Sequence, residues 1–502
     1  MLSRIVATLA VIYVLKRIIT FRRAASSVGN LGGYRVLFNG LSPIGALLKR
    51  LPGLTQGLNH ALEDKYSIHE RVGCDIVAHV TAFPPVAHLS LADAQAIKEV
   101  TISRAKFPKP VDVYKPLLFF GHNIVASEGE TWKRYRKITA PAFSDRNNKL
   151  VWDETIAIMN DLFENVWGDK EVITVDHCRD LTLPIALFVI GVAGFGRKMT
   201  WKEDNVIPTG HRMTFQKSLS IVSANTLAKI ILPDWAMRLT EKTREIALGF
   251  DELKAYMLEM IDARQKSQKV ERHDLFSSLL EANNDEDGEA LSTDELIGNI
   301  FIFLLAGHET TAHSLCFTFA LLALYPDEQE KLYQHIKSVT PISRVPTYEE
   351  MPLLTQSTAV FYETLRLYPP VPIIPKRCAE DTTLTTTNTQ GETVVIPVAK
   401  GTSVDIYTPA LHYNPKYWED PHSFKPDRFL KPDWNRDAFL PFSAGARACL
   451  GRKFFETEGI ATLTMLVSRY KISVKEEPQF AHETFEQRKE RVMKCNFRLT
   501  TT

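Results

Sequence analysis

A mainly α-helical domain with small β-sheets, preceded by an N-terminal membrane anchor, is the architecture that this sequence predicts, and three observations predict it. From about residue 150 to 345 apolar residues recur at three- and four-residue spacing, the period of a helix with one buried face. Thr382 to Val404 is instead rich in Thr and Val, with Gly391 and Gly401 as turn signals, and reads as a small sheet. Met1-Leu-Ser-Arg4 leads into an apolar run from Ile5 to Leu15, followed by Lys16-Arg17 and, after Phe21, Arg22-Arg23.

That run divides the chain into an anchor over 1–23, a Gly-containing connector over 24–59 and one large domain over 60–502. The eleven uninterrupted apolar residues fall short of the roughly 20 that span a bilayer. If the segment runs on to Phe21, Lys16 and Arg17 can snorkel, so attachment is a firmer expectation than spanning. A cleaved secretory peptide is the alternative; against it, the small residues Ala24-Ala25 directly follow two arginines. Positive residues lie mostly after the apolar run, which leaves the body of the chain on the cytosolic side.

Apolar residues make up 45% of the 502, with 27 phenylalanines, enough for a large core and an apolar cavity. A net charge of +1 argues against a nucleic-acid binder, which carries a strong basic excess. The six cysteines, Cys74, Cys178, Cys316, Cys378, Cys449 and Cys495, show no paired spacing, as in a reducing compartment, and no Cys-x-x-Cys suggests zinc.

Between the connector and about residue 105, short β-like and helical patterns alternate. Further on, Asn283-Asn-Asp-Glu-Asp-Gly288 reads as a solvated loop, and Ser292-Thr-Asp-Glu295 as a capping box that opens a helix through Leu324. Such a helix is ~45–50 Å long and could cross the whole domain.

The most informative stretch is Phe442-Ser-Ala-Gly-Ala-Arg-Ala-Cys449-Leu-Gly451. It surrounds one cysteine with the residue types that a haem-iron thiolate needs, a ligand suited to oxygen activation. Gly445 and Gly451 allow close backbone approach to sulfur and porphyrin, backbone N–H groups can hold the negative sulfur, and Arg447 can reach a propionate. A buried structural cysteine in a Gly-rich turn is the plainer alternative. The spacing Phe-x-x-Gly-x-Arg-x-Cys-x-Gly matches the haem-binding loop of cytochromes P450, and the chain resembles that family over about residues 60 to 500. The resemblance implies the cytochrome P450 fold, haem b with Cys449 as the axial iron ligand, and O2 and NADPH-derived electrons as cosubstrates. It departs in one respect: the Pro-Pro-Gly-Pro-like hinge usual after the anchor is reduced to isolated Pro43 and Pro52.

Ala306-Gly307-His308-Glu309-Thr310-Thr311 resembles the family's oxygen-activation motif. A mid-helix hydroxyl can bond back to the carbonyl four residues earlier or open a local distortion, and Gly307 leaves room for O2. The resemblance assigns Thr310 to hold the distal oxygen or a water and Glu309 to link that water to bulk protons, with Ala306 beside the haem. A zinc-protease reading of His308-Glu309 fails, because the second His would have to stand at the position of Ala312, not at His313.

Glu363-Thr-Leu-Arg366 and Phe424-Lys-Pro-Asp-Arg428-Phe429 match two further family segments, which implies a Glu363–Arg366–Arg428 network of scaffold and haem-retention character. Alone, an i,i+3 ion pair is commonplace and worth only about 0.2–0.5 kcal/mol. Trp132 and Arg136 fit the helix that supplies propionate contacts, and Arg377 stands where another is often found. Lys133, Arg134, Lys137, Arg452 and Lys453 form a basic cluster that would attract an acidic electron donor; the resemblance implies NADPH–cytochrome P450 reductase.

By analogy with the family, Phe107, Leu117, Leu118, Phe119, Phe120, Phe303, Val371, Ile373 and Ile374 are candidate pocket residues, with Ala306 among them. Core packing explains each almost as well. The final segment, Glu483 to Thr502, is expected to return a hairpin to the pocket. The leading expectation is an NADPH-driven monooxygenase of the endoplasmic reticulum membrane, catalytic body in the cytosol, acting on a lipophilic small molecule of specialised metabolism such as a terpenoid. Fatty-acid or xenobiotic hydroxylation is the runner-up. A reductase-independent peroxide isomerase would lack the Glu309-Thr310 pair, and a haem sensor would not need it.

Overall fold

Ser292 opens a helix from Thr293 to Leu324, and the other elements are arranged around it. The Ser292 hydroxyl accepts the Glu295 N–H at 3.3 Å, and the Glu295 carboxylate accepts the Ser292 N–H at 2.9 Å. The same carboxylate accepts the Tyr135 hydroxyl at 2.6 Å and pairs with Arg134, which ties the helix Gly129–Thr139 to the start of the long helix. The long helix is buried along most of its length because its residues are apolar all round, as a helix packed on several sides must be. Cys178–Val189 packs along it, as do Thr355–Leu367 and Arg452–Arg469.

This arrangement is a computed structural model that describes residues 2–201, 206–266, 273–283, 290–341, 344–496 and 500–502. The solvated loop expected at 283–288 lies, apart from its first residue, outside the described residues.

Among the described residues seven strands form two sheets: β1 (Arg35–Phe38), β2 (Ile76–Phe83), β3 (Pro85–Leu91), β4 (Ile373–Arg377), β5 (Thr382–Thr387), β6 (Thr393–Val398) and β7 (Ser403–Tyr407). The larger has the order β1-β2-β3-β7-β4 and the smaller is the β5-β6 hairpin. The single small sheet expected over Thr382–Val404 therefore divides. β5 and β6 pair with each other, whereas β7 joins β3 in parallel and β4 antiparallel, with Lys376 opposite Val404 and Arg377 opposite Ser403. Part of the expected connector is built into the sheet as well, because β1 pairs in parallel with β2 through Arg35↔Val80 and Val36↔Thr81.

The N-terminal apolar run lies in one continuous helix, Leu2–Ser26, ~37 Å long. Ile5, Val6, Leu9, Val11 and Ile12 are exposed, while its far end docks on the sheet, with Phe21 and Ala24 packed beside buried Ala25, Val80 and Ala87. Among the described residues the helix that is long and apolar enough to cross a membrane is Thr293–Leu324, and its burial marks it as the core helix.

The chain end does return. Asn496 and Thr502 exchange backbone hydrogen bonds of 2.8 and 2.9 Å, and Thr501 donates through its N–H to Pro370 O (2.9 Å) and through its hydroxyl to Pro369 O (2.8 Å). Residues 497–499, within the expected hairpin, lie outside the described residues.

Candidate active site

One cavity of about 390 Å³ brings the cysteine loop and the mid-helix motif together: Ala448, Cys449, Leu450 and Gly451 line it, as do Ala306, Gly307, Thr310 and Thr311. The loop is held by its own backbone, with the Cys449 N–H on Phe442 O at 2.9 Å. Gly451 then caps the helix Arg452–Arg469, so the sulfur sits at the positive end of a helix, where a thiolate is favoured. The Cys449 side chain is open to the cavity yet surrounded by protein. Burial pushes its thiol up, while the Gly451 N–H and the guanidinium groups of Arg136 and Arg452 act in the opposite direction.

Gly445 is needed for a different reason from the one expected. Its φ is +65°, and a Cβ there would come within 2.5 Å of the Thr101 carbonyl oxygen. The close approach is to the end of the helix Ala94–Ile102, not to the cavity, which Gly445 does not line.

Thr310 Oγ1 donates to Ala306 O at 2.7 Å and Thr311 Oγ1 to Gly307 O at 2.9 Å, so both hydroxyls are folded back on the helix. Thr310 lines the cysteine cavity, whereas Glu309 lines a second, larger cavity. The acid and the alcohol thus stand side by side in sequence and border two separate spaces. His308 is buried, and its loss of water lowers its pKa to about 4.

The expected charge network is assembled. Arg366 forks onto Glu363 through Nε (2.7 Å) and Nη2 (2.8 Å), and both residues are fully buried. Its remaining donors reach His412 O, Pro421 O and Ser423 O. Arg428 Nε donates to Glu363 at 3.1 Å. His412 extends the network, with Nδ1 on Arg366 O at 3.0 Å and Nε2 accepting the Leu440 N–H at 2.9 Å, two residues before Phe442. The helix Thr355–Leu367 is thereby fastened to the chain entering the cysteine loop.

The cationic end of the cavity holds Trp132, Arg136 and Arg447, as expected. The Arg447 and Arg104 guanidinium groups lie 4.2 and 4.4 Å from the Trp132 ring. Arg136 donates to Ala448 O at 2.9 Å, and Arg447 pairs with Glu128 at 2.7 Å. Arg377 is a correction. It does not line the cavity, because on β4 it points outward, and both its terminal nitrogens meet Asp112 at 2.9 Å. Lys376, the preceding residue, faces the cavity and is buried, and Lys109 joins it there. Burial pushes their ammonium groups down to about 8 and about 7, and neither has a carboxylate partner at ion-pair distance among the described residues. Sequence reading missed both; for Lys376 the strand alternation of β4 was the available signal.

Of the candidate pocket residues, Phe303, Val371 and Ile374 line the cavity with Ala306. The others do not. Phe107 is wholly buried in the core beneath the large sheet. Phe119 and Phe120 stack with Phe250 and Phe301, the Phe120 and Phe301 centroids being 4.4 Å apart, and Leu117 packs on the same core. Leu118, in the turn that closes this segment, does not reach the cavity. Ile373 faces away, against Ala61 and Tyr407. Ile124, Ile190 and Ile302 complete the apolar lining in their place.

These residues fit a haem. An accessible sulfur at a helix N-terminus, an apolar slot and cations with unmet charge are what iron, porphyrin and propionates require; Arg447 Nε is in addition buried without a hydrogen-bond partner among the described residues.

Comparison with known proteins agrees. The cytochrome P450 family model matches residues 82–494. The chain is 55% identical over 491 residues to cytochrome P450 monooxygenase 124 of Postia placenta, covering 97% of this chain and 94% of that one. It is 33% identical to cytochrome P450 monooxygenase prx9 of Penicillium rubens (83% and 78% covered), and 33% identical to cytochrome P450 monooxygenase ORF6 of Penicillium roqueforti (83% and 78%). A thiol facing a glycine-bearing helix across an apolar slot, a cationic end, and matches of this extent have one common reading: the chain belongs to the cytochrome P450 family and is a P450 monooxygenase with fungal enzymes among its relatives.

Proposed function

We propose that the protein hydroxylates a lipophilic small molecule of specialised metabolism, a terpenoid or related lipid, with electrons from NADPH delivered by a flavin-containing NADPH–cytochrome P450 reductase. The carrying observation is the single cavity shared by Cys449 and the Ala306–Thr311 turn. Bound haem supplies the dioxygen chemistry that places one oxygen atom in a C–H bond. Cys449 gives the thiolate ligand, and Lys109, Arg136, Lys376 and Arg447 hold the propionates. The Thr310 hydroxyl, now bonded to Ala306 O, hands a proton into the haem cavity. Glu309 draws that proton from the larger, solvent-connected cavity. Phe303, Ala306, Val371 and Ile374 exclude water and orient an apolar substrate. Fatty-acid and xenobiotic hydroxylation use the same machinery, and product identification separates them.

The basic face is more compensated than its sequence suggests. Lys133 pairs with Glu130, Arg134 with Glu295 and Arg452 with Glu456, while Lys453 rests against the Met351 sulfur. Its pull on an acidic donor is correspondingly modest and salt-sensitive. The exposed apolar face of Leu2–Ser26 supports attachment to a bilayer, which we assign to the endoplasmic reticulum with the haem domain in the cytosol.

The test is the difference spectrum of the reduced protein with carbon monoxide, followed by turnover with reductase and NADPH. A strongly red-shifted Soret band and an oxygenated product are expected. A band at the position of histidine-ligated haem would overturn the Cys449 assignment.

A further inference from the structure

The larger cavity, about 900 Å³, lies between the helices Cys178–Val189 and Phe215–Ile231 and the long helix. Its volume is that of a ligand site, and its lining is amphiphilic. Leu183, Leu187, Phe188 and Ile221 give an apolar wall. Arg179 and Arg212 border it, both exposed and neither with a hydrogen-bond or ion-pair partner among the described residues. Lys217 also lines it, but is engaged by Glu245 at 3.0 Å.

A second observation is independent of the arginines. Ser223 and His308 line the same cavity and are more than nine-tenths buried, yet among the described residues Ser223 Oγ has no hydrogen-bond partner, and His308, whose ring is hydrogen-bonded to the Leu183 backbone, leaves Nδ1 without one. Buried polar atoms are nearly always paired, so two orphans bordering one space mark a place where a polar ligand or its water belongs.

We propose that this second chamber binds a single-chain lipophilic oxyanion, a fatty carboxylate or an alkyl phosphate, with its head toward Arg179 and Arg212 and its chain against Leu187, Phe188 and Ile221. Each guanidinium is a planar fork that suits either head, and neither is paired with an acid among the described residues. The apolar wall takes the hydrocarbon, at roughly 0.8 kcal/mol per buried methylene. The chamber also borders Glu309, so its occupant sits on the solvent side of the proton path assigned above. The binding itself rests on this chamber alone and does not depend on the assigned reaction.

The experiment is photolabelling of the full-length holoprotein with a decanoate that carries a diazirine near its chain end, beside the corresponding decanol probe, with labelled peptides mapped by mass spectrometry. The acid should label Cys178–Val189 and Phe215–Ile231 at least about tenfold more than the alcohol does, a difference of about 1.4 kcal/mol. Excess decanoate, decyl phosphate or both should compete, and which one does identifies the head group. The Arg179→Glu/Arg212→Glu variant should lose the label and the Arg179→Lys/Arg212→Lys variant retain most of it, with the carbon-monoxide spectrum unchanged in both. Equal labelling by acid and alcohol, competition by neither anion, or label confined to the haem-cavity residues Phe303 and Val371 would overturn the proposal. The acid–alcohol comparison uses the unaltered protein, so it decides even if a variant fails to fold. The carbon-monoxide spectrum tests the haem reading separately.

Discussion

Lys376 and Arg377 are consecutive on β4 and face opposite ways: Lys376 is buried against the haem cavity, and Arg377 forks onto Asp112 at the surface. Successive side chains of a strand point to opposite faces, so one residue of the pair can serve the cavity and the other cannot. Lys376→Met should therefore speed transfer of haem to an acceptor apo-globin by about tenfold, the loss of roughly one charge-assisted contact. Arg377→Met should leave the transfer rate within about twofold, since an exposed ion pair is worth little. Equal effects of the two substitutions would return Arg377 to the propionate site.

The Glu363–Arg366 pair carries a different prediction, because neither residue is exposed and every arm of the guanidinium is used. Arg366→Ala leaves a buried carboxylate with only Arg428 and the Lys425 N–H as partners among the described residues and should cost about 3–5 kcal/mol. Arg366→Lys keeps the charge but not the fork, and should recover only a small part. Chemical denaturation of the holoprotein measures both, and haem should be released in the same transition, because His412 couples the network to Leu440. Haem loss well before unfolding would separate the network from haem retention.

Thr310 and Glu309 border different cavities, which predicts different failures. Thr310→Ala removes the hydroxyl on the haem side. Product formation should fall on the order of 10²-fold while NADPH consumption continues, the electrons leaving as hydrogen peroxide or water. Glu309→Gln interrupts supply from the solvent side and should slow turnover, with a solvent deuterium isotope effect larger than that of the parent protein. Haem spectra stay unchanged in both. Coupling and isotope effect that match the parent would remove the pair from proton delivery.

What the sequence made legible were the contiguous motifs. Phe442 to Gly451, Ala306 to Thr311 and Glu363 to Arg366 each act through residues near one another in the chain, so spacing alone reports them. The capping box at Ser292 was legible for the same reason, and the structure makes both of its bonds. What remained hidden depends on which way a side chain turns. Phe107 and Phe120 are as apolar as Phe303, yet they fill the core and only Phe303 reaches the cavity. Lys109 was passed over because an isolated lysine in a Pro-rich loop normally stands in water; only the packing of Tyr114 over it and its place at the cavity reveal it. The glycine of the cysteine loop was recognised, but its neighbour was not: Thr101 comes from a helix more than 300 residues earlier.

A cluster of histidines on and beside the large sheet, His79 on β2, His60 in the helix His60–Asp64 and His69 in the helix Ser67–Val72, sets the acid limit of the fold by its titration. His79 is wholly buried with both ring nitrogens unpartnered among the described residues, its ring 6.0 Å from His60 and 5.5 Å from Tyr407. His60 bonds the Tyr407 hydroxyl at 2.7 Å, and His69 reaches Ser90 O at 3.3 Å. Burial lowers all three: His69 to about 4, His60 downward, and His79 well below the ordinary value, helped by His60, His69, His88 and Arg35 nearby. Folded-state values below those of the unfolded chain mean that the native state holds these rings neutral. Their contribution is intact above about pH 6.5, where the unfolded chain is also neutral, and is lost as pH falls below it, at about 1.4 kcal/mol per pH unit for each ring until its folded value is reached. Denaturation midpoints between pH 7 and 5 should therefore fall steeply, and His79→Leu should flatten that slope by about one proton. A slope unchanged in His79→Leu would assign the acid sensitivity to His308 and His412, which burial also lowers, to about 4 and about 3.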